Sequence, residues 1–479
     1  MKKIDYYLFL LGVALLCACS SPSEKIKPSQ IDAEEAAGNF ANATRLIDLF
    51  IAENELSPFD IYELNVRKDV MRRIRLDFGK EKTDIDDYIR KYYPELNDEM
   101  LTKWEKDGTL EYMIIDGEKR YFNRAAPNLF RLDTDAKARK SEIDKPSGEE
   151  KAVLKQCLPE IVNELKNSGK TQASPVKIRV KFKLTLQPNA VPDGETVRCW
   201  LPFPREEHRR QSNVKLISAN DEHYIISPEQ YAHRSIYMEK IAMKDQALEF
   251  TVEFSYQQTP EWFDLQNKNI LPYDTQSETY KIYTAERPPH IVFSDSIKAI
   301  SERIVGDETN PWQKAKKIYE WLDAHFPWSG AREYSTLKNI PQYVLENRRG
   351  DCGQVTLLFM TLARYNGIPT RWESGLNVQP GGLNIHDWSE FFIEGMGWIP
   401  MDQSFGLNNF SDNDDIRFFY VNGIDAYRCV VNNDFSQQLF PSKIYFRSDN
   451  VDFQRGELEW RGGNIFYDKW KWEFEASYE

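Results

Sequence analysis

Two segments of the chain alternate between apolar and polar residues over about ten positions each. The apolar positions are Val176, Ile178, Val180, Phe182, Leu184 and Leu186 in the first segment, and Leu248, Phe250, Val252, Phe254 and Tyr256 in the second. A period of two places all the apolar side chains on one face of a strand, so each segment indicates a sheet with one buried face. We therefore predict a small β-sandwich over residues 172–262.

The sequence before this sandwich has a helical period. Its clearest apolar face is formed by Phe40, Ala43, Ile47 and Phe50, at three-to-four spacing. We predict a mainly helical N-terminal domain over residues 31–170. One exception is a hairpin around Asp116-Gly117, a dipeptide suited to the positive φ angles of a tight turn. The charged stretch from Asp133 to Glu150 is interpreted as an exposed connection.

The N-terminus has the features of an export signal. Lys2 and Lys3 precede an apolar run of eleven residues, Tyr6 to Leu16, which is too short to span a bilayer. Residues 1–18 are therefore predicted to be a removed signal peptide, and residues 19–30 a flexible tether.

The four residues Leu16-Cys17-Ala18-Cys19 resemble the bacterial lipobox. The resemblance implies that Cys19 receives diacylglycerol and becomes the first residue of the mature protein. The protein is then a lipoprotein of the cell envelope, attached to the outer membrane on its periplasmic or surface face. Ordinary secretory cleavage, with Cys19 unmodified, is the alternative.

Composition excludes several classes of partner. The net charge is −13 and no basic cluster is present, so nucleic acid is not an expected partner. The cysteines after the lipobox are Cys157, Cys199, Cys352 and Cys429, without the CxxC spacing of a zinc site or disulfide framework. The acidic run Asp412 to Asp415 lacks the glycine turn of a calcium loop. We expect no metal and no organic cofactor.

Cys352 lies in the loop Arg349-Gly350-Asp351-Cys352-Gly353, just before an apolar helical stretch that ends at Gly367-Ile368-Pro369. This pattern places Cys352 at a helix N-terminus, where free amides and the helix dipole favour a thiolate. The same amides could donate to an oxyanion. Cys199 and Cys429 lie in apolar, strand-like segments, and burial is the better explanation for them.

A thiolate nucleophile needs a base, and His386 has the most suitable context among the six histidines. It opens the strand-like segment His386-Asp387-Trp388-Ser389-Glu390. A Gly-Met-Gly turn then leads to Trp398-Ile399-Pro400-Met401-Asp402. A hairpin here would place Asp402 beside His386, where a carboxylate orients the imidazole and stabilises the imidazolium.

These segments resemble the transglutaminase-like superfamily, whose core has a Gly-Asp-Cys helix start, a His-x-Trp-x-Glu strand and a Gly-Trp-x-Pro-x-Asp strand in this order. The resemblance implies a papain-like core at residues 285–425, with a Cys352, His386 and Asp402 triad. It also implies an aromatic residue that helps to hold the oxyanion, for which Trp328 is the candidate. The aromatic-rich segment 426–479 is predicted to be a C-terminal β extension.

The complete prediction is an α+β multidomain protein with a helical N-terminal region, an Ig-like β-sandwich, a transglutaminase-like core and a C-terminal β extension. Its expected activity is that of a cysteine protease, amidase or transamidase that forms an acyl-enzyme. The expected substrates are proteins, peptidoglycan peptides or glycopeptides. The alternative is a catalytically silent, lipid-tethered scaffold that binds protein or glycan.

Overall fold

The computed structural model describes residues 25–144, 152–266 and 268–479. The predicted signal peptide, Cys19 and the first part of the predicted tether lie outside the described residues. The described residues divide into two compact units: a smaller one that extends to Lys68 and includes Ile114–Glu118, and a larger one formed by the described parts of Asp69–Met113 and Lys119–Glu479. Within the described ranges, no helix is both long and apolar enough to cross a membrane.

The elements follow one another as a helical region, a strand-rich region and a mixed region. The helices are α1 (Pro28–Ala36), α2 (Phe40–Glu53), α3 (Pro58–Asp77), α4 (Lys82–Ile89), α5 (Asp98–Lys106), α6 (Ala125–Leu132), α7 (Thr134–Asp144), α8 (Ala152–Ser168), α9 (Glu278–Tyr283), α10 (Asp295–Val305), α11 (Pro311–His325), α12 (Ile340–Asn347), α13 (Cys352–Tyr365) and α14 (Asp414–Arg417). The strands are β1 (Tyr112–Ile115), β2 (Glu118–Tyr121), β3 (Val176–Leu186), β4 (Thr196–Pro202), β5 (Gln211–Ala219), β6 (Tyr224–Ile226), β7 (Ser235–Ile241), β8 (Leu248–Gln258), β9 (Glu261–Trp262), β10 (Thr370–Asn377), β11 (Asn384–Ile393), β12 (Gly397–Met401), β13 (Gly423–Ile424), β14 (Arg428–Asn432), β15 (Glu457–Trp460), β16 (Gly463–Ile465) and β17 (Trp470–Tyr478).

The smaller unit contains α1, α2 and the start of α3. The apolar face predicted for α2 is buried at Phe40, Ala43 and Ile47. The predicted hairpin is formed by β1 and β2, and its turn residues Asp116 and Gly117 both have positive φ, 50° and 84°. Helix α1 begins at Pro28, so the last residues of the predicted tether are helical, because proline at the first helical position already has the required φ.

The predicted β-sandwich is present and is built from two antiparallel sheets. One sheet has the strand order β17-β3-β8-β5 and the other β16-β15-β4-β7-β6. The two alternating segments are β3 and β8, which pair along their whole length with Val180 opposite Phe254. Their inward side chains join residues of the second sheet in one apolar cluster. The alternation therefore predicted both the strands and the face that they bury.

The segment 426–479 does not form a separate extension. Strand β14 pairs with β10 of the core sheet, β15 pairs with β4, and β17 pairs with β3 over nine residues. Strands β15 and β17 add hydrogen-bonded neighbours to the otherwise unpaired edges of β4 and β3. The rings of Trp472 and Phe474 also stack on Phe182. The end of the chain therefore belongs partly to the core and partly to the sandwich.

The core sheet has the order β12-β11-β10-β14 and packs against α13. Every residue of α13 from Cys352 to Arg364 is buried. Helix α11 begins at Pro311, and the Asn310 side chain accepts hydrogen bonds from the amides of Trp312 and Gln313 at 2.9 and 3.3 Å. A large apolar cluster joins α11, α12 and α13 to the sheet.

Two boundaries of the predicted helical domain differ from the structure. Helix α8, which the sequence placed in that domain, contributes Leu154, Leu158 and Leu165 to the apolar cluster of the core. The spacing of apolar residues predicts that a helix has an apolar face, but it does not predict which part of the protein that face contacts. The charged stretch that begins at Asp133 contains α7, so the part of it that the structure describes is helical. Only Ala136 is buried in that helix, which explains its polar composition.

The C-terminal strand gives a stability test. Trp470 is buried, and its Nε1 donates to the carbonyl of Ile465 at 2.8 Å. Truncating a buried tryptophan removes apolar area and leaves a cavity. We expect Trp470→Ala to lower the free energy of unfolding by about 3–5 kcal/mol, measured by urea denaturation. The matched control is Lys471→Ala, exposed on the same strand, with an effect within about 0.5 kcal/mol. Equally small losses of unfolding free energy in the two variants would show that burial of Trp470 on β17 contributes little.

Candidate active site

The site is built around the start of α13. Asp351 caps this helix: its side chain accepts the amide of Gln354 at 3.1 Å and the hydroxyl of Tyr334 at 2.6 Å. Cys352 is therefore the first helical residue, as the sequence predicted. Burial raises the pKa of the Asp351 carboxyl to about 6. The cap that sets the position of the thiol is itself an ionisable group.

Gly353, the residue after Cys352, lies in close contact with two polar side chains. A Cβ atom at this position would lie 2.3 Å from the Tyr334 hydroxyl and 2.8 Å from Oδ2 of Asp387. Both distances are far inside van der Waals contact. The glycine after the cysteine is thus required because two polar side chains occupy the space that any larger residue would need.

The segment that carries Tyr334 is held by α3. Asp77 accepts the amide of Glu333 at 3.0 Å, and the hydroxyl of Thr336 lies 3.5 Å from the same oxygen. Burial, together with the neighbouring Glu333 carboxylate, raises the pKa of Asp77 to about 7. The position of Tyr334, and through it the helix cap, therefore rests on a buried carboxyl group outside the matched motifs.

The Cys352 thiol donates a hydrogen bond to Oδ2 of Asp387 at 3.1 Å. Burial, and after it the carboxyl groups of Asp387 and Asp351, raise the pKa of this thiol well above its ordinary value. The expectation that the helix N-terminus would favour a thiolate is therefore wrong for this arrangement. The predicted position is present, but burial and two nearby carboxyl groups oppose the dipole.

The structure brings His386 and Asp402 together. The hairpin of β11 and β12 turns at Gly395 to Gly397, and Nε2 of His386 lies 2.8 Å from Oδ2 of Asp402. Both side chains are buried. Because Nε2 faces the carboxylate, Nδ1 is the nitrogen left to accept a proton.

Cys352 contacts strand β11 at Asp387, the residue that follows His386. Consecutive strand residues point to opposite faces, so Asp387 faces α13 while His386 turns towards Asp402. In the part of the chain that the structure describes, no hydrogen bond joins the Cys352 thiol to His386. Of the three predicted triad residues, the structure joins His386 to Asp402, while the Cys352 thiol is hydrogen-bonded to Asp387.

Arg428 is a residue of the site that the sequence analysis missed. Its Nε donates to Oδ2 of Asp402 at 3.2 Å, its Nη1 lies 3.2 Å from Asp425, and its guanidinium stacks on the ring of Phe405. Although burial opposes ionisation, His386 and Arg428 hold the pKa of Asp402 below its ordinary value. An isolated arginine on a strand carries no sequence signal for this role.

A second support reaches His386 through Trp388. The two rings are stacked with centroids 5.9 Å apart, and the indole Nε1 of Trp388 donates to Glu373 at 2.7 Å. Glu373 is also 2.8 Å from Nε2 of His208 and 3.0 Å from Arg210. Although burial opposes ionisation, the contacts with His208, Arg210 and Arg209 hold the pKa of Glu373 well below its ordinary value.

The same ion-pair network has the spacing of a metal site. Ligand atoms of His208, Glu373 and Glu390 all lie within 4.8 Å of one another. However, Arg209 and Arg371 are ion-paired with Glu390, and Arg210 with Glu373. The carboxylates are already neutralised, so the arrangement is that of a buried ion-pair network that positions Trp388.

Trp328 lies beside the loop that precedes Cys352. It forms a parallel bridge with Gly350, and the guanidinium of Arg131 lies 4.6 Å from its ring centre. A cavity of about 100 Å³ is lined by Trp328, Gly350, Val355, Gln403 and Ser404, among others. The indole is therefore placed at an opening beside the nucleophile loop, and its role with an oxyanion stays a prediction.

The other sequence candidates have structural explanations. Cys199 and Cys429 are buried, and burial raises the pKa of both thiols. The described cysteines, Cys157 among them, are free thiols. In the acidic run, Asn413 caps α14 by accepting the amide of Asp415 at 3.0 Å.

Comparison with known proteins agrees with the motifs. The model of the transglutaminase-like superfamily matches residues 298–403, which contain Cys352, His386 and Asp402. The chain therefore carries a transglutaminase-like domain, and the predicted α+β class with this core is confirmed.

The relatives found are distant. An uncharacterised protein of Haemophilus influenzae is 28% identical over 142 residues, which are 24% of this chain and 38% of that protein. This chain therefore spans well under half the length of that curated relative. A proposed cysteine protease of Cytophaga hutchinsonii aligns with a TM-score of 0.43 at 13% identity, over 64% of this chain and 92% of its own. The periplasmic domain of TgpA from Pseudomonas aeruginosa aligns with a TM-score of 0.27 at 12% identity, over 49% and 93%.

Asp77 gives a pH-dependent stability test. Its folded pKa of about 7 exceeds the value of about 3.9 for an unfolded aspartate, so the folded state binds the extra proton between these values. Stability from this group is therefore present at low pH and lost as pH rises towards 7. We expect Asp77→Asn to gain stability relative to wild type between pH 4 and pH 8, by on the order of 2–4 kcal/mol, measured by urea denaturation. A difference that stays constant with pH would contradict this assignment.

Proposed function

We propose that the protein is a cysteine hydrolase or acyltransferase that acts on amide bonds through Cys352. The supporting observation is that His386 and Asp402 form a buried pair, 2.8 Å apart, and that Asp387, the residue after His386, contacts the Cys352 thiol. All four residues lie within the transglutaminase-like domain. A nucleophile, a base and a carboxylate that orients the base are the parts that acyl transfer needs.

The proposed reaction begins when the thiol leaves Asp387 and transfers its proton to Nδ1 of His386. The sulfur attacks the carbonyl carbon, and the bond to nitrogen breaks as the imidazolium returns the proton to the departing amine. Water or a second amine then attacks the thioester, with His386 again taking the proton, and releases an acid or a new amide. Asp402 stays ionised throughout and stabilises the imidazolium.

Stabilisation of the oxyanion is proposed for the free amides at the start of α13 and for Trp328. The N-terminal amides of a helix are unpaired donors, and the Cys352 amide is among them. Trp328 lines the cavity beside this loop. Protease, amidase and transamidase activities share these parts and differ in the acceptor that reaches the thioester.

The proposed location is the cell envelope, with a lipid on Cys19. Its support is the charged and apolar N-terminus and the lipobox-like Leu16-Cys17-Ala18-Cys19. Extracytoplasmic proteins, peptidoglycan stem peptides and glycopeptides are the substrates proposed on this basis.

A lipid-tethered binding scaffold with a silent core is the second candidate. The observation that favours it is the hydrogen bond from the thiol to Asp387, together with the raised pKa of that thiol. A protein of this class would bind peptides or glycans beside Trp328 without turning them over.

Single variants test the enzymatic proposal. We expect Cys352→Ala to abolish turnover and His386→Ala and Asp402→Asn to lower kcat by roughly 10³-fold or more, since members of a triad act as a unit. The measurement is release of amine from protein, stem-peptide and glycopeptide substrates, with and without an added amine, followed by mass spectrometry of the acyl-enzyme.

The matched control for that experiment is Cys157→Ala, a partly buried thiol of the same core outside the site. It is expected to retain wild-type turnover. If wild type turns over none of the substrates while binding one of them, the scaffold proposal replaces the enzymatic one.

The lipid proposal has its own test. The protein purified from bacterial membranes is expected to begin at Cys19 and to carry a diacylglycerol on that residue, detected by mass spectrometry of the N-terminal peptide. Cys19→Ala should lose both the lipid and the membrane association, because a lipid anchor provides the binding energy. An unmodified mature N-terminus at another residue would contradict this proposal.

A further inference from the structure

A second buried carboxyl group lies behind Asp387. Asp387 and Asp452 are 2% and 1% exposed, and their side chains lie in one cluster. Ser374, which is opposite Asp387 in the pairing of β10 with β11, donates to Asp452. Two ionised carboxylates in contact within a buried site repel each other strongly, so such a pair holds a proton. The contact between Cys352 and Asp387 is therefore the end of a chain of three groups, the thiol, the first carboxyl and the second carboxyl.

Asp452 is surrounded by hydrogen-bond donors. Its Oδ1 accepts from the Ser374 hydroxyl at 2.5 Å, from Nδ2 of Asn432 at 3.0 Å and from the amide of Phe453 at 2.7 Å. Three donors on one oxygen stabilise the ionised form. Its Oδ2 is buried and receives no donor from the N–H and O–H groups of the described residues. A proton on Asp387 supplies that missing donor.

The surroundings of Asp387 favour its neutral form. Gln454 donates to its Oδ1 at 2.8 Å, and Oδ2 meets the thiol. Burial, and next the neighbouring Asp452, raise the pKa of Asp387 well above its ordinary value. The other titratable groups that face it are Asp351 and Cys352, with Tyr334 beside Asp351. Of the cations around this cluster, Arg455 is ion-paired with Glu333, and Arg447 donates to the main-chain carbonyl of Asp452.

We propose that Asp387 and Asp452 share one proton, and that this proton controls the reactivity of Cys352. With the proton on Asp387, the negative charge lies on Asp452, away from the sulfur, and a neutral group adjoins the thiolate once the thiol has passed its own proton to His386. Without it, the Asp387 carboxylate lies against the sulfur and opposes thiol ionisation. Asp387 is thus a positioning residue that acts through Cys352.

The inference deepens the proposed function, since it concerns the same thiol, but its test needs no substrate. The rate of alkylation of Cys352 by iodoacetamide, which forms a thioether and releases iodide, reports the thiolate fraction. The full-length protein in detergent is labelled for short times between pH 5.5 and 9.5. Labelling is quantified on the Cys352 peptide by mass spectrometry, with the Cys157 peptide as the internal reference.

The two carboxyl groups should have different effects. Asp387→Asn keeps the shape and the neutral state that the shared proton gives this position, so we expect alkylation at pH 7.5 within about twofold of wild type. Asp452→Asn moves the negative charge onto Asp387, in contact with the sulfur. Alkylation of this variant should be at least about tenfold slower than in wild type at the same pH, the effect of one pKa unit.

The double variant separates charge control from structural damage. Asp387→Asn with Asp452→Asn has no acid beside the sulfur, so it should label like the first single variant. Slower alkylation in both single variants, equal rates in all proteins, or no labelling of Cys352 in any of them would overturn the proposal. Slower alkylation in Asp452→Asn alone, without turnover of any amide substrate, would support it while contradicting the enzymatic function.

Discussion

The first turn of α13 is the constraint on which the site depends. The helix is buried along almost its whole length, so its start must be set by groups packed around its first turn. Asp351 supplies this start by accepting from the Gln354 amide and the Tyr334 hydroxyl. A cap of this kind contributes about 0.5–2 kcal/mol, but its larger effect is positional. It fixes Cys352 as the first helical residue and leaves only the space of a glycine at position 353.

The opposite wall of the site is held by buried charge. Asp402 is shared between His386 and Arg428, and Trp388 is held by Glu373, which is in turn paired with His208 and Arg210. Buried ion pairs of this kind add little net stability, because desolvation offsets their attraction, but removal of one partner costs about 3–5 kcal/mol. The network therefore determines which way the imidazole faces more than it stabilises the fold.

The sequence predicted what is local and periodic. The alternation predicted β3 and β8, the Gly-Asp-Cys loop predicted the start of α13, and the Gly-Met-Gly turn predicted the contact of His386 with Asp402. It did not predict the pairings made across long chain separations. Strand β17 joins β3 almost 300 residues away, and Arg428, Asp452 and Gln454 reach the site from loops and strands without a motif. Such contacts depend on the assembled fold, which no single segment encodes.

The charge state expected for Cys352 failed for a reason that can be estimated. A helix N-terminus carries about half a positive charge and stabilises an anion by about 0.3–2 kcal/mol. An ionised Asp387, 3.1 Å from the sulfur, would oppose the thiolate by on the order of 5 kcal/mol at an effective dielectric constant of 20. The dipole therefore cannot activate the thiol while that carboxylate is charged. A reactive thiolate requires Asp387 to be neutral. Among the described residues, the neighbouring Asp452, with three donors on one oxygen, is placed to hold the negative charge.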